Sequence, residues 1–299
     1  MSSRVVALFG PTASGKSAVA GVLRDRLGAE VISADSAALY AGLPVLTAAP
    51  PYPARLVGTV PLADSVSVGS YQRWARAAID DVAASGGIPV LVGGTGLYVR
   101  AALSTLELPA PPDPARRAHW QRLYDEHGAD AAHALLAERD PAAAARLHSN
   151  DRKRVIRALE LAEVGSSLAP VDDVLWTAAL RRPTTIFSLE LPLDELDRRI
   201  DERTARMAHA GAIDEAQAAW AEPLSDTARK VIGLEQFATL PPDSAIEEVA
   251  RATKRLARYQ RKWVRNLRDA VTLDAHRPAE EIADDIIALG RAGERLSRH

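Results

Sequence analysis

Gly10-Pro11-Thr12-Ala13-Ser14-Gly15-Lys16-Ser17, GPTASGKS, is the stretch on which the fold of this chain turns. The apolar run Val5–Phe9 precedes it, and Ala18 to Leu27 follows with helical patterning. A G-x-x-x-x-G-K-[ST] pattern between a strand and a helix is a phosphate-binding loop. Gly10 and Gly15 permit backbone conformations closed to other residues, so successive N–H groups can point into one concavity. The helix behind the loop adds its positive N-terminal end. Lys16 supplies a point charge for a terminal phosphate, and the Ser17 hydroxyl is a ligand for Mg²⁺. A Gly/Ser-rich turn without a ligand is the plainer alternative. The loop implies a bound di- or triphosphate and leaves open what is done with it.

Working outward, Val31–Ser33 reads as a second strand that ends at Asp35-Ser36. Strand, loop, helix and strand open a parallel α/β sheet. Asp35 then stands at the carboxyl edge of the sheet, where open α/β folds bind ligands; as a plain structural residue it would cap a helix starting at Ser36 or Ala37. Four prolines make Thr47 to Ser70 loop-like, Ser70 to Ala84 reads as a helix, and Ile88–Val92 reads as a short buried strand. That strand runs into Gly93-Gly94-Thr95-Gly96, whose glycines suggest a second close backbone approach to a ligand, with the Thr95 hydroxyl presented there.

Pro109 to Pro114 holds four prolines and breaks the composition. Beyond it the pattern is helical, and no strand pattern returns until Thr184–Leu189. The expected architecture is therefore an α/β fold: a phosphate-loop parallel sheet flanked by helices, residues 1–112 and 181–299, with a mostly helical insert. The insert covers 113–180, its far end falling between 149 and 182. His119, His127, His133 and His148 lie in it without metal-ligand spacing and read as helix-surface residues. Leu193 to Met207 reads as a charged amphipathic helix.

Two basic stretches stand out. Arg152, Lys153, Arg154 and Arg157 crowd the start of a helix that Asn150 or Asp151 can cap; a solvated face and a nucleic-acid contact explain them equally well. Between Arg251 and Arg268 there are eight Lys/Arg and no acid. At about 100° per residue these fall within an arc of roughly 140°. Leu256, Gln260, Trp263, Val264 and Leu267 lie opposite. Such a helix docks one side and presents a basic stripe to phosphates.

The 299 residues carry a net charge of −2, with 47% hydrophobic and 25% charged residues and no cysteine. The composition is that of a globular protein large enough for a sizeable core. Thiolate metal sites and disulfides are excluded. No run is apolar and long enough to span a bilayer, and the chain enters its first strand without a cleavable apolar leader. The expectation is a cytoplasmic protein without membrane partners.

Taken in order, several stretches resemble one family, the tRNA dimethylallyltransferases. GPTASGKS resembles the family's phosphate loop, DSAALY at 35–40 its D-S-A-Q-x-Y, and VLVGGTGLY at 90–98 its glycine-rich strand end. HSNDRKRVIRALE at 148–160, RIDERTARM at 199–207 and VIGLEQ at 231–236 also resemble family motifs. So does ATKRLARYQRKWVRNL at 252–267, similar to A-T-R-x-x-A-K-R-Q-x-x-W-x-R.

The resemblance implies transfer of a dimethylallyl group from its diphosphate to N6 of adenosine 37 in the tRNA anticodon loop, with no ATP hydrolysis. By family match Thr12, Ala13, Ser14, Gly15, Lys16 and Ser17 hold the diphosphate and Ser17 the Mg²⁺. Asp35 accepts or orients the N6 proton, and Thr95 and Arg203 stand at the reacting centre. Asp35, Ser36, Ala37, Ala38 and Thr95 face the base. Arg117, Lys153, Arg154, Arg157, Arg258, Gln260, Arg261, Lys262 and Arg265 match positions that touch tRNA. The resemblance is to an enzyme expected to act as a monomer. The chain departs from the pattern at Ala38 (family Gln), Ala49 (Lys) and Leu234 (Tyr), and it lacks a His-His-Leu stretch near Leu56–Pro61. A small-molecule kinase with a helical lid, an adenylate prenyltransferase and a catalytically impaired RNA-binding protein are the alternatives.

Overall fold

The computed structural model describes residues 4–109, 113–168, 178–267 and 270–296. The chain divides into two compact units, one of Met1–Leu103 with Leu180–His299 and one of Ser104–Ala179. By sequence the proline cluster marks 113 as the start of the insert; the compact unit begins at Ser104. Part of that cluster, 110–112, lies outside the described residues, as does Arg268 of the basic stretch.

The larger unit is built on a five-stranded, all-parallel sheet in the order β2-β3-β1-β4-β5. The strands are β1 (Val5–Phe9), β2 (Glu30–Ala34), β3 (Pro89–Gly93), β4 (Thr184–Glu190) and β5 (Val271–Asp274). Helices on both faces exclude water from a parallel sheet, so its central strands read as unbroken apolar runs. β3 is buried at all five positions, and β1 at four of five. Phe9 and Leu8 are fully covered, each worth about 1.5–3 kcal/mol of apolar burial.

α1 (Lys16–Leu27) returns the chain from β1 to β2. α2 (Val68–Ala84) begins just before Ser70, because Ser67 and Ser70 form a reciprocal capping box that fixes its first turn. α3 (Gly96–Leu103) leaves the end of β3. The alternative of a helix capped by Asp35 is not realised: residues 36–39 are turns, and Tyr40 bridges to Val60, which pulls the chain back to an extended path.

The smaller unit packs α4 (Pro114–His127), α5 (Ala129–Arg139), the one-turn α6 (Pro141–Ala144) and α7 (Arg152–Glu163) around Trp120, Leu136, Val155, Ile156 and Leu159. Asp113 caps α4 and Asp151 caps α7 through their carboxylates. After β4 the larger unit adds α8 (Leu193–Met207), α9 (Ile213–Trp220), α10 (Leu234–Thr239) and the long α11 (Pro242–Val264). β5 and α12 (Ala279–Leu296) complete it. α11 starts nine residues before the first basic residue of the stripe, with Pro242 in its first turn, where a missing N–H costs nothing.

β1 has β3 on one side and β4 on the other. The chain therefore leaves the carboxyl end of β1 where successive connections diverge to opposite sides of the sheet, which is where such sheets open a ligand crevice.

Candidate active site

Tight backbone packing puts the phosphate loop in that crevice. A Cβ on Gly10 would stand 2.7 Å from the Leu189 carbonyl oxygen, so no larger residue fits beside β4. Ala13 takes a left-handed conformation (φ 64°), a strain of about 1–2 kcal/mol for a residue with a Cβ. Gly15 (φ 90°) then turns the chain into α1.

Three polar groups in and around the loop lack the partners their burial calls for. Ser14 is 1% exposed, and its Oγ has no hydrogen-bond partner. The Nε of Arg203, on α8, is enclosed and likewise unpartnered. Lys16 donates from Nζ to the Pro11 carbonyl at 2.6 Å, its charge otherwise uncompensated by contact. Burial pushes its pKa down to about 7; Asp35 opposes that shift and Arg203 adds to it. Arg203 is likewise lowered, by burial first, with Asp35 opposing. A buried donor without an acceptor costs about 1–3 kcal/mol, more when charged. A diphosphate, rich in acceptors and negative charge, matches this set of groups.

The charges of Asp35 and Arg203 both act on Lys16, and that of Asp35 acts on Arg203, so the three groups stand within electrostatic reach of one another. Asp35 is exposed at the end of β2, and its Oδ1 accepts the Ala37 N–H at 2.9 Å. Its charge also reaches Tyr98, whose phenol is pushed up to about 12 by burial first, then by Tyr40 and Asp35. Thr95 is half-buried between β3 and α3, and Ser17 is exposed on the first turn of α1. Ala38 is buried, 6% exposed, so its methyl group offers nothing to a base edge.

Gln260 does not sit where its place in the basic stretch suggests. It is 5% exposed, and its Oε1 accepts the Thr12 N–H of the phosphate loop at 2.7 Å. The buried seam of α11 is Ala245, Val249, Ala250, Thr253, Ala257 and Gln260, while Leu256, Trp263 and Val264 are only half-buried. Small residues win the seam because α11 packs on α8.

The basic stripe is also shorter than its sequence. Lys254 pairs with Asp201 and Arg258 with Asp197, each at 2.6 Å, and Arg251 pairs with Glu248. The matched i, i+4 spacing of Asp197/Asp201 on α8 and Lys254/Arg258 on α11 was the available signal. Arg255, Arg261, Lys262 and Arg265 make no ion pair among the described residues. Beside them Tyr259 is 52% exposed, edge-on to Trp263 at 5.5 Å.

In the smaller unit, Arg117 and Arg157 both turn to the buried carboxylate of Glu160, at 2.8 and 2.9 Å. The one carboxylate offsets one of the two positive charges and fixes both guanidiniums against α7. Arg152 pairs with Asp125 at 2.6 Å. Lys153 is exposed and Arg154 half-buried on α7. Among the described residues no group of three His, Asp or Glu is placed to hold a metal ion, and no helix is long and apolar enough to cross a membrane.

Residues 38–267 match the family model for IPP transferase. A tRNA dimethylallyltransferase of Kineococcus radiotolerans is 40% identical over 280 residues, covering 87% of this chain and 87% of that protein. One of Streptomyces griseus is 36% identical, covering 96% and 95%. The solved full-length tRNA isopentenylpyrophosphate transferase of Bacillus halodurans superposes with a TM-score of 0.69 at 30% identity, covering 99% of each chain. A eukaryotic dimethylallyltransferase captured acting on tRNA shares the fold, with a TM-score of 0.78 at 24% identity, covering 92% of this chain and 74% of that one.

Proposed function

The chain belongs to the IPP transferase family and is a prenyltransferase; from that premise we propose that it moves a dimethylallyl group from dimethylallyl diphosphate to N6 of adenosine 37 in the anticodon loop of tRNA, releasing diphosphate. One observation carries the chemical part: the buried Ser14 Oγ and Arg203 Nε lack partners, and Lys16, Arg203 and Asp35 are within electrostatic reach of one another.

In the reaction the N6 lone pair attacks the allylic carbon, the carbon–oxygen bond breaks, and its electron pair leaves on the diphosphate. Lys16, Arg203 and the loop N–H groups are preorganised for that developing charge, the arrangement that lowers such barriers most. The N6 proton passes to Asp35. One carboxylate oxygen is held by the Ala37 N–H, which orients the group and leaves the other oxygen for the amine. Thr95, half-buried beside the loop, orients the substrates.

Mg²⁺ fits the exposed Ser17 hydroxyl together with oxygens of the substrate, the mode in which it binds phosphates without a protein cage. When bound, it neutralises part of the diphosphate charge. The base must be flipped out of the loop to reach Asp35, and single-stranded loops suit that step. Arg255, Arg261, Lys262 and Arg265 on α11 face the RNA backbone, with Lys153 and Arg154 on α7. With Ala38 in place of glutamine, the adenine edge is read by fewer side-chain contacts. The enzyme works as a monomer in the cytoplasm.

The test is incubation of unmodified tRNA with dimethylallyl diphosphate and Mg²⁺, followed by digestion and mass spectrometry. A dimethylallyl mass gain on adenosine 37 is expected. An unmodified adenosine, with the diphosphate ester intact, overturns the proposal.

A further inference from the structure

We infer that Gln260 is a positioning residue for the phosphate loop and the glycine-rich loop, not a contact of the RNA. It stands on α11 immediately before Arg261 and Lys262, inside the stretch that its basic neighbours mark as nucleic-acid-facing. Its own side chain points the other way, with Oε1 accepting the Thr12 N–H at 2.7 Å. The residue is 5% exposed, which leaves RNA no access to it.

The other end of the same amide lies against Gly94, between β3 and Thr95. A Cβ built on Gly94 would collide with the Gln260 amide and stand 2.8 Å from the Gly10 carbonyl oxygen. From α11 the Gln260 side chain thus meets two loops, the phosphate loop at Thr12 and the glycine-rich loop at Gly94, and Gly94 in turn lies against the Gly10 carbonyl. This explains why the second glycine of Gly93-Gly94-Thr95-Gly96 tolerates no side chain. It also accounts for a long amide side chain in a buried seam whose other members are Ala245, Val249, Ala250, Thr253 and Ala257.

The consequence is mechanical. Thr12 and Ala13 lead into the left-handed turn at Ala13, and a loop strained there needs an anchor on the side away from the ligand. Gln260 provides that anchor at Thr12 and sets the distance to the loop that carries Thr95. Sites held by a second layer of hydrogen bonds lose function when that layer is removed, although the ligand contacts remain.

The inference rests on the diphosphate site proposed above. The test uses the full-length protein, inorganic pyrophosphate with Mg²⁺, and an unmodified anticodon stem-loop RNA, each titrated by calorimetry. Gln260→Met keeps the length of the side chain and removes its polar atoms. It is expected to weaken pyrophosphate binding about fivefold, the loss of one buried hydrogen bond, and to raise KM for the prenyl diphosphate while RNA affinity stays within about twofold. Lys262→Ala with Arg265→Ala gives the reverse pattern. Weakened RNA binding with unchanged pyrophosphate affinity in Gln260→Met overturns the inference, and so does an equal loss of both. Should the variant fail to fold, amide hydrogen exchange of the wild-type protein decides. A protected Thr12 N–H supports the contact, and exchange at the rate of an open loop refutes it. Absence of pyrophosphate binding in the wild-type protein would instead strike the proposed function itself.

Discussion

The ammonium of Lys16 carries the sharpest prediction, because its pKa is near 7 in the free protein against an ordinary 10.5. Burial removes water from the charge, and among the described residues the Pro11 carbonyl accepts its hydrogen bond while Asp35 opposes the shift. A bound diphosphate reverses the balance by placing two phosphate groups against the same nitrogen, so binding favours the protonated form. At pH 8 the free site is about one-tenth protonated, and binding should draw about 0.9 proton onto Lys16. Affinity should therefore fall about fivefold from pH 7 to 8 and close to tenfold, or about 1.4 kcal/mol, for each unit above pH 8. Below about pH 6 this contribution is constant.

Calorimetry in two buffers of different ionisation enthalpy measures the uptake, after subtraction of the ligand's own titration. Lys16→Arg provides the control, since a guanidinium stays charged throughout. It should bind more weakly at pH 7 and lose the steep decline above it. If wild type takes up no proton at pH 8, or if Lys16→Arg keeps the same pH slope, the placement of Lys16 against the diphosphate is wrong.

The remaining predictions concern other parts of the site. Asp35→Ala should cut single-turnover prenylation by about 10²–10⁴, the range of a lost general base, and leave RNA affinity within about twofold; equal loss of binding would make Asp35 structural. Ser14→Ala should leave the free protein as stable or about 1 kcal/mol more stable, because it removes an unsatisfied buried hydroxyl, while pyrophosphate affinity falls; thermal melts with and without ligand separate the two effects. Lys262→Ala with Arg265→Ala should reduce the slope of log affinity against log salt by about 2. Lys254→Ala with Arg258→Ala, whose charges Asp201 and Asp197 already meet, should change the slope by less.

Where the sequence was read correctly, local chemistry decides the structure. Val5–Phe9 is apolar because a central parallel strand is buried on both faces, and the glycines after it leave one kind of loop. Leu193–Met207 is a helix at the bounds its periodicity predicts, since its apolar positions recur on one face. Where reading failed, tertiary contacts decide. β5 has four residues, only one of them buried, too short a run to register as a strand. α12 follows Pro278 and opens with Glu280 and Glu281, so its apolar face was hidden among acids. The partners of Lys254, Arg258, Arg117 and Arg157 lie on other helices or a turn away. Charge density along the sequence therefore overstated the surface left for RNA. Gln260 shows the same limit: it lies in sequence between the exposed cations Arg258 and Lys262, and its neighbour in space is the phosphate loop.

The central claim is that the loop holds an allylic diphosphate for carbon–oxygen cleavage and not a nucleotide for phosphoryl transfer. Dimethylallyl diphosphate labelled with ¹⁸O at the oxygen joining carbon to phosphorus tests it directly, with unmodified tRNA as acceptor and mass spectrometry of both products. The predicted result is a prenylated adenosine free of label and a released diphosphate that carries all of it. Label retained on a prenyl alcohol, with no mass gain on the tRNA, would contradict the account.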